Sequence, residues 1–126
     1  MRIPTGLIRS IQVGLPATAH SECADDPEQQ PWTTGMFKRS TPGQIRLGRH
    51  NLAGDGQADL VHHGGVDKAV CAYPSEHWLY WRGILPPHRL TGGAVGENFT
   101  LEGLTEADVC IGDVFSVGTA VVQISQ

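Results

Sequence analysis

Asp113-Val114-Phe115-Ser116-Val117-Gly118-Thr119-Ala120-Val121-Val122-Gln123-Ile124-Ser125 holds two short apolar runs separated by Gly118-Thr119. A two-residue turn containing glycine joins antiparallel strands while matching their twist, so this stretch predicts a hairpin. Val122 and Ile124, two positions apart, share one face of its second strand. Similar apolar runs punctuated by Gly and Pro recur at 6–13, 43–48, 57–62, 69–73 and 97–101, and together with 113–117 and 119–125 they read as strands. Short strands at this spacing belong to an all-β barrel or sandwich.

One helix interrupts the pattern. It is expected to begin at Pro74, whose fixed φ and missing N–H suit a first helical turn, and to cover Pro-Ser-Glu-His-Trp-Leu-Tyr-Trp-Arg-Gly-Ile. Trp78, Trp81 and Leu85 fall at i, i+3 and i+7, a core-facing stripe rather than a stacking platform for a cofactor. Residues 14–32 carry four acidic residues and three prolines without periodicity and read as a loop.

At 126 residues the chain fits a single domain with one core. Hydrophobic residues at 40%, charged residues at 17%, 16 Gly and 8 Pro suit a soluble, turn-rich protein. The net charge of −4 gives no general field for nucleic acid. Positive charge gathers only locally, at Lys38, Arg39, Arg46, Arg49 and Lys68, against an acidic run at Glu22, Asp25, Asp26 and Glu28. Neither a signal peptide nor a membrane span is visible, so a cytoplasmic location with no membrane partner is expected. Cys23, Cys71 and Cys110 are odd in number and lack C-x-x-C spacing, which argues for reduced thiols over disulfides or a zinc knuckle. Cys71 and Cys110 lie in apolar contexts expected to raise their thiol pKa values.

The densest polar cluster is His62-His63-Gly64-Gly65-Val66-Asp67-Lys68. Paired glycines let backbone N–H groups approach a ligand, and Lys68 adds a point charge, so the segment reads either as an anion cradle or as an ordinary Gly-Gly turn. If the strand at 57–62 extends this far, His62 and His63 point to opposite faces. A second cluster, Gly92-Gly93-Ala94-Val95-Gly96-Glu97-Asn98, precedes an apolar strand. No G-x-G-x-x-G, Walker loop or G-x-S-x-G elbow occurs, which leaves dinucleotide binding, Walker-type nucleotide binding and serine hydrolysis without support.

Taken in order, several segments resemble the MOSC family (molybdenum cofactor sulfurase C-terminal domain), and within it the YiiM-like hydroxylaminopurine-resistance branch. They are Thr34-Gly35-Met36-Phe37-Lys38, Leu52-Ala53-Gly54-Asp55-Gly56-Gln57-Ala58-Asp59, His63-Gly64-Gly65-Val66-Asp67-Lys68-Ala69-Val70, Tyr73-Pro74-Ser75-Glu76-His77, Gly96-Glu97-Asn98-Phe99-Thr100, Gly103-Leu104-Thr105-Glu106, Val109-Cys110-Ile111-Gly112-Asp113 and Val122-Gln123-Ile124-Ser125-Gln126.

The resemblance implies a mainly β fold: a closed MOSC-type barrel with one or two short helices. It implies an oxidoreductase that holds the molybdenum cofactor (molybdopterin), takes electrons from a donor protein, and reduces a small N-hydroxylated base or amine. A family association with pyridoxal phosphate binding comes with it. Lys38, Gly64, Gly65, Lys68, Glu97 and Asn98 are the cofactor-binding candidates it supplies, and His63 the candidate proton donor, since an imidazole titrates near neutrality. The family pattern continues after Ser125-Gln126 with an Arg and a molybdenum-ligating Cys, so residues 1–126 read as one MOSC domain incomplete at its C-terminus, without a metal ligand of its own. The competing readings are a non-redox module for an anion or sulfur carrier, and an inactive fragment whose apolar last strand promotes homo-oligomerisation.

Overall fold

The computed structural model describes residues 2–20 and 31–126, so Cys23 and the acidic run from Glu22 to Glu28 lie outside it. In chain order the strands are β1 (Leu7–Val13), β2 (Ala17–Ala19), β3 (Trp32–Thr34), β4 (Arg39–Ser40), β5 (Ala72–Pro74), β6 (Phe99–Glu102), β7 (Val114–Val117) and β8 (Ala120–Gln123), with one α-helix, α1 (Trp78–Trp81). The fold is mainly β.

The largest sheet has the order β4-β1-β6-β5. β1 runs antiparallel to β6, with Ile11 opposite Phe99 and an irregularity between Ile8 and Ser10, while β5 runs parallel to β6. A parallel neighbour needs a crossover. Here the crossover carries a 3-10 turn at Ser75–His77, α1, and a second 3-10 turn at Pro87–Arg89. The remaining strands form two separate pairs, β2 with β3 and β7 with β8.

Among the described residues the expected closed barrel is therefore not formed; the sheets are open. Two of the segments expected to close it are not strands. At 43–48 only a single bridge, Leu47 to Leu52, is made. At 57–62 the carboxylate of Asp59 accepts hydrogen bonds from the N–H groups of Val61 (2.9 Å) and His62 (3.0 Å), which turns the backbone away from an extended path. Conversely, β2 and β3 form inside and beside the stretch expected to be a loop. Ala17-Thr18-Ala19 carries little strand signal of its own, and its pairing with Trp32–Thr34 is a tertiary effect.

The C-terminal hairpin matches expectation. Val117 pairs with Ala120, and only Gly118 of the two turn residues has a positive φ, of 59°. The helix is shorter than expected: Pro74 ends β5 and caps the 3-10 turn, and α1 follows it. Trp78 and Trp81 are half-buried, as a core stripe requires, but Leu85 is exposed. Among the described residues the buried apolar side chains are Ala19, Leu52, Phe99 and Pro74, and no helix is long and apolar enough to cross a membrane.

Candidate functional site

The seam between β1 and β6 is polar and almost dry. Gln12 and Glu97 have no exposed surface, and Thr100 and Asn98 have 1% and 2%. Asn98 ties three pieces of chain together: its side-chain oxygen accepts from the N–H of Cys71 (3.0 Å), and its side-chain nitrogen donates to the carbonyl of Gln12 (3.1 Å). Its own carbonyl accepts from the N–H of Gln12 at 2.8 Å. Glu97 accepts from the N–H groups of Gly93 (2.8 Å) and Val95 (3.1 Å) and from the hydroxyl of Thr100 (2.9 Å). Both candidate ligands thus spend their polar atoms on the chain itself. They position the turn over 92–96, where Gly93 and Gly96 supply positive φ values of 87° and 80°.

Lys38 is held similarly. Its ammonium lies 2.6 Å from Oδ1 of Asp55, with 6% and 0% of the two side chains exposed. The same oxygen accepts from the N–H of Gly14 (3.0 Å), and Oδ2 of Asp55 is buried without a partner among the described residues. The approach is close because Gly14 lacks a Cβ; one built there would stand 2.2 Å from the carbonyl oxygen of Phe37.

His62, His63, Gly64, Gly65 and Lys68 sit in a different setting, a surface turn. Because the backbone turns at Asp59, strand alternation does not set the facing of the two histidines; their partners do. Nδ1 of His62 lies 2.8 Å from Asp59, which holds that carboxyl down at about 2, through backbone and side-chain hydrogen bonds with His62. The exposed His63 ring has no such partner among the described residues. Gly65 takes a φ of 101°, and the ammonium of Lys68 donates to the carbonyl of His62. The hydroxyl of Ser125 donates to the carbonyl of Asp67, bringing the end of the chain against this turn.

Two cavities adjoin these groups. The first, about 470 Å³, is bordered by Trp32, Phe37, Lys38, Arg39, Arg89 and the turn at Gly92-Gly93, among others. The second, about 680 Å³, lies between β8 and two stretches, 46–49 and 66–72, with Asp67 and Ser125 on its rim. Lys38 borders the first cavity and Lys68 neither, so the structure does not bring the two lysines into one pocket. Neither Cys71 nor Cys110 lines either of these two cavities. Cys110 is exposed in the turn before β7, its N–H donating to Asp113 at 2.8 Å, where an apolar strand setting was expected. Cys71 is also surface-accessible, yet partial burial first, then the charges of Glu97 and Asp55, push its thiol up against the opposing effect of Lys38. Among the described residues no group of three or more His, Cys, Asp or Glu is placed to hold a metal.

Sequence reasoning passed over Gln12, Asp55 and Arg89, and noted Arg39 only as part of a local gathering of positive charge. Asp55 stands inside a motif block, but nothing local marks it as the partner of Lys38, 17 positions away. Gln12 looks like an ordinary polar strand position until β6 packs against it.

Residues 59–126 match the MOSC domain. The chain is 41% identical over 102 residues to protein YiiM of Escherichia coli (strain K12), an alignment covering 79% of this chain and 45% of that protein. It is 32% identical over 88 residues to a reductase of Gibberella moniliformis (strain M3125 / FGSC 7600), covering 68% of this chain and 16% of the relative. The crystal structure of YiiM from Geobacillus stearothermophilus superposes with a TM-score of 0.63 at 42% identity, over 97% of this chain and 51% of that one. The chain thus spans about half the length of the YiiM proteins it matches. With the matched residues covering more than half of its length, this chain belongs to the MOSC domain family, in the YiiM-like branch.

Proposed function

We propose that this chain forms the cofactor-facing part of a molybdenum-dependent reductase of N-hydroxylated bases or amines, served by an electron-donor protein. The observation that supports the reading is the bond from Ser125, two residues past β8, to the carbonyl of Asp67 in the turn that carries the candidate residues His63, Gly64, Gly65 and Lys68. A thiolate entering just after Gln126, as the family pattern has it, would arrive at that turn. Lys68 and the flexible backbone at Gly64-Gly65 suit the phosphate end of a pterin. The described cysteines do not suit the metal, since neither lines either of the two cavities and no group of three or more potential ligands surrounds them among the described residues.

The overall change is cleavage of an N–O bond: R–NHOH, two electrons and two protons give R–NH2 and water. The bound cofactor would relay the electrons. His63, exposed and without a carboxylate partner among the described residues, is the proton donor in this reading, while His62 is occupied by Asp59.

In cofactor-loaded protein that includes the thiolate segment, His63→Ala should lower turnover of an N-hydroxylated base by roughly 10²-fold or more, and His62→Ala should leave it near the parent value. Equal losses from both would refute the assignment. The 126-residue chain, made in a cofactor-producing host, should carry well under one equivalent of molybdenum. Stoichiometric metal lost on Cys110→Ser would transfer the metal site to Cys110.

A further inference from the structure

The cavity of about 680 Å³ has the outline of a gap in a sheet. One wall is formed by 120–125, every residue in succession. A cavity over a strand's face would meet alternate residues, so this one runs along the edge of β8. The N–H of Ile124 donates to the carbonyl of Asp113 (2.9 Å) and its carbonyl accepts from the N–H of Gly112 (2.8 Å), which turns Ile124 toward the β7 side. Alternation then points the backbone N–H and C=O of Val121 and Gln123 away from β7, at the cavity. Another wall includes Ala69, Val70 and Ala72 but not Cys71. Cys71 is turned the other way: its N–H donates to the Asn98 side chain (3.0 Å), and its carbonyl accepts from the N–H groups of Asn98 (2.8 Å) and Phe99 (3.0 Å). Its neighbours Val70 and Ala72 therefore present their backbone groups on the cavity side. Among the described residues β5 is the end strand of its sheet and β8 pairs with β7 alone, so two open edges border one gap.

An open edge is a template for another chain, and proteins commonly guard it with Lys, Pro or a bulge. Here the guards are missing. No residue from Val114 to Gln126 is a proline or carries a charged side chain, and Val121 and Val66, which both line the gap, are 69% and 64% exposed. Six residues at about 3.3 Å each make a groove about 20 Å long, the reach of a short strand. Charge sits on the third wall, where Arg46 and Arg49 are exposed and Asp67 is the one carboxylate among the described lining residues. Neither arginine is in an ion pair among the described residues. A second copy of β8 would bring those arginines nothing to bind, whereas a strand with acidic side chains would.

We infer that this gap is a docking site for an extended, acidic peptide segment of a partner protein. The segment pairs its backbone with the edge of β8, turns apolar side chains toward Phe99 and Val70, and directs carboxylates at Arg46 and Arg49. Backbone pairing supplies the affinity and the two arginines the choice of partner. His63 and Lys68 do not line the gap, so the site stands apart from the reductase reading.

The experiment adds capped hexapeptides to the purified chain and follows binding by NMR. The probes are Thr-Val-Glu-Val-Glu-Val, the same peptide with Lys in place of both Glu, and the acidic peptide N-methylated at three consecutive central residues, which removes its backbone donors on both edges. The acidic peptide should bind with a Kd below about 1 mM and shift the amide signals of Val121 and Gln123. The Lys peptide and the N-methylated peptide should each bind at least about tenfold more weakly, and the advantage of Glu over Lys should shrink as salt rises. Replacing both arginines, Arg46→Ala with Arg49→Ala, should weaken the acidic peptide about tenfold, while Arg89→Ala, on the other cavity, should leave it unchanged. Circular dichroism checks that the variants of these exposed residues keep their fold. Equal affinity for the Glu and Lys peptides, undiminished binding of the N-methylated peptide, or shifts that spare Val121 and Gln123 would each overturn the inference. So would self-association of the chain that shifts those two amides while no peptide binds, which would make the edge an interface between copies. None of these readouts needs metal or turnover, so failure here is distinguishable from failure of the reductase proposal.

Discussion

Two glycine-rich segments look alike in sequence and end up as opposites. Around Glu97 and Asn98 the polar groups are sealed between β1 and β6 and bonded mostly to backbone; around His63 and Lys68 they are exposed or half-buried, and Lys68 bonds within its own turn. The difference lies in what packs against each. A strand from 86 positions earlier in the chain covers Asn98, whereas among the described residues the turn at 62–68 pairs with no strand and meets only Ser125, beyond β8. Polar residues beside glycines are therefore scaffold when a distant strand closes over them, and accessible surface when none does.

The contrast breaks most easily at Lys38. Lys38→Ala strands the fully buried carboxylate of Asp55, and about 3–5 kcal/mol of stability should be lost in urea unfolding; a loss under about 1 kcal/mol would mean that the pair is wet. Glu97→Ala removes the acceptor for two N–H groups and the Thr100 hydroxyl, and should cost about 3 kcal/mol, with Glu97→Gln costing less. Next comes Gly14→Ala, whose Cβ collides with the carbonyl of Phe37, for about 1–3 kcal/mol. On the exposed side, Lys68→Ala should stay within about 0.5 kcal/mol. A large effect there would erase the distinction between the two segments.

The smallest effect is a titration. Asp59 is lowered from the usual 3.8 to about 2 by its bonds to His62. A depressed carboxyl stabilises its turn above the unfolded pKa and loses that contribution as pH falls, so the amide signals of Val61 and His62 should begin to shift near pH 3.8 and reach their midpoint near 2. A midpoint near 3.8 would detach Asp59 from the turn.

How far the sequence could be read follows the same division. The hairpin at 114–123, the strand at 7–13 and the strand at 99–102 were legible, because alternation and a turn glycine act locally. The pair β2 and β3 was not, since Ala17-Thr18-Ala19 extends only against a distant partner. Barrel closure failed as an expectation where Asp59 captured its neighbours' N–H groups, a side-chain effect that an apolar pattern does not reveal. For the site, the motif blocks pointed to Lys38, Glu97 and Asn98 as residues that matter without telling ligand from support. Arg39 stood out only as one of several local positive charges and Arg89 not at all, because the cavity they share is formed with Gly92 and Gly93 of a turn distant in sequence from Arg39.

The bond from Asn98 to Gln12 also sets a timetable. A ribosome adding about 5–20 residues per second needs roughly 4 to 17 s to cover the 86 positions between them. For that interval β1 has been made but its main partner has not, while the β7–β8 hairpin, once synthesised, can close in about 1–10 μs. The first of the described strands to be made is thus among the last to meet its main partner, and its apolar Leu7, Ile8 and Ile11 wait unpaired with β6 for that interval.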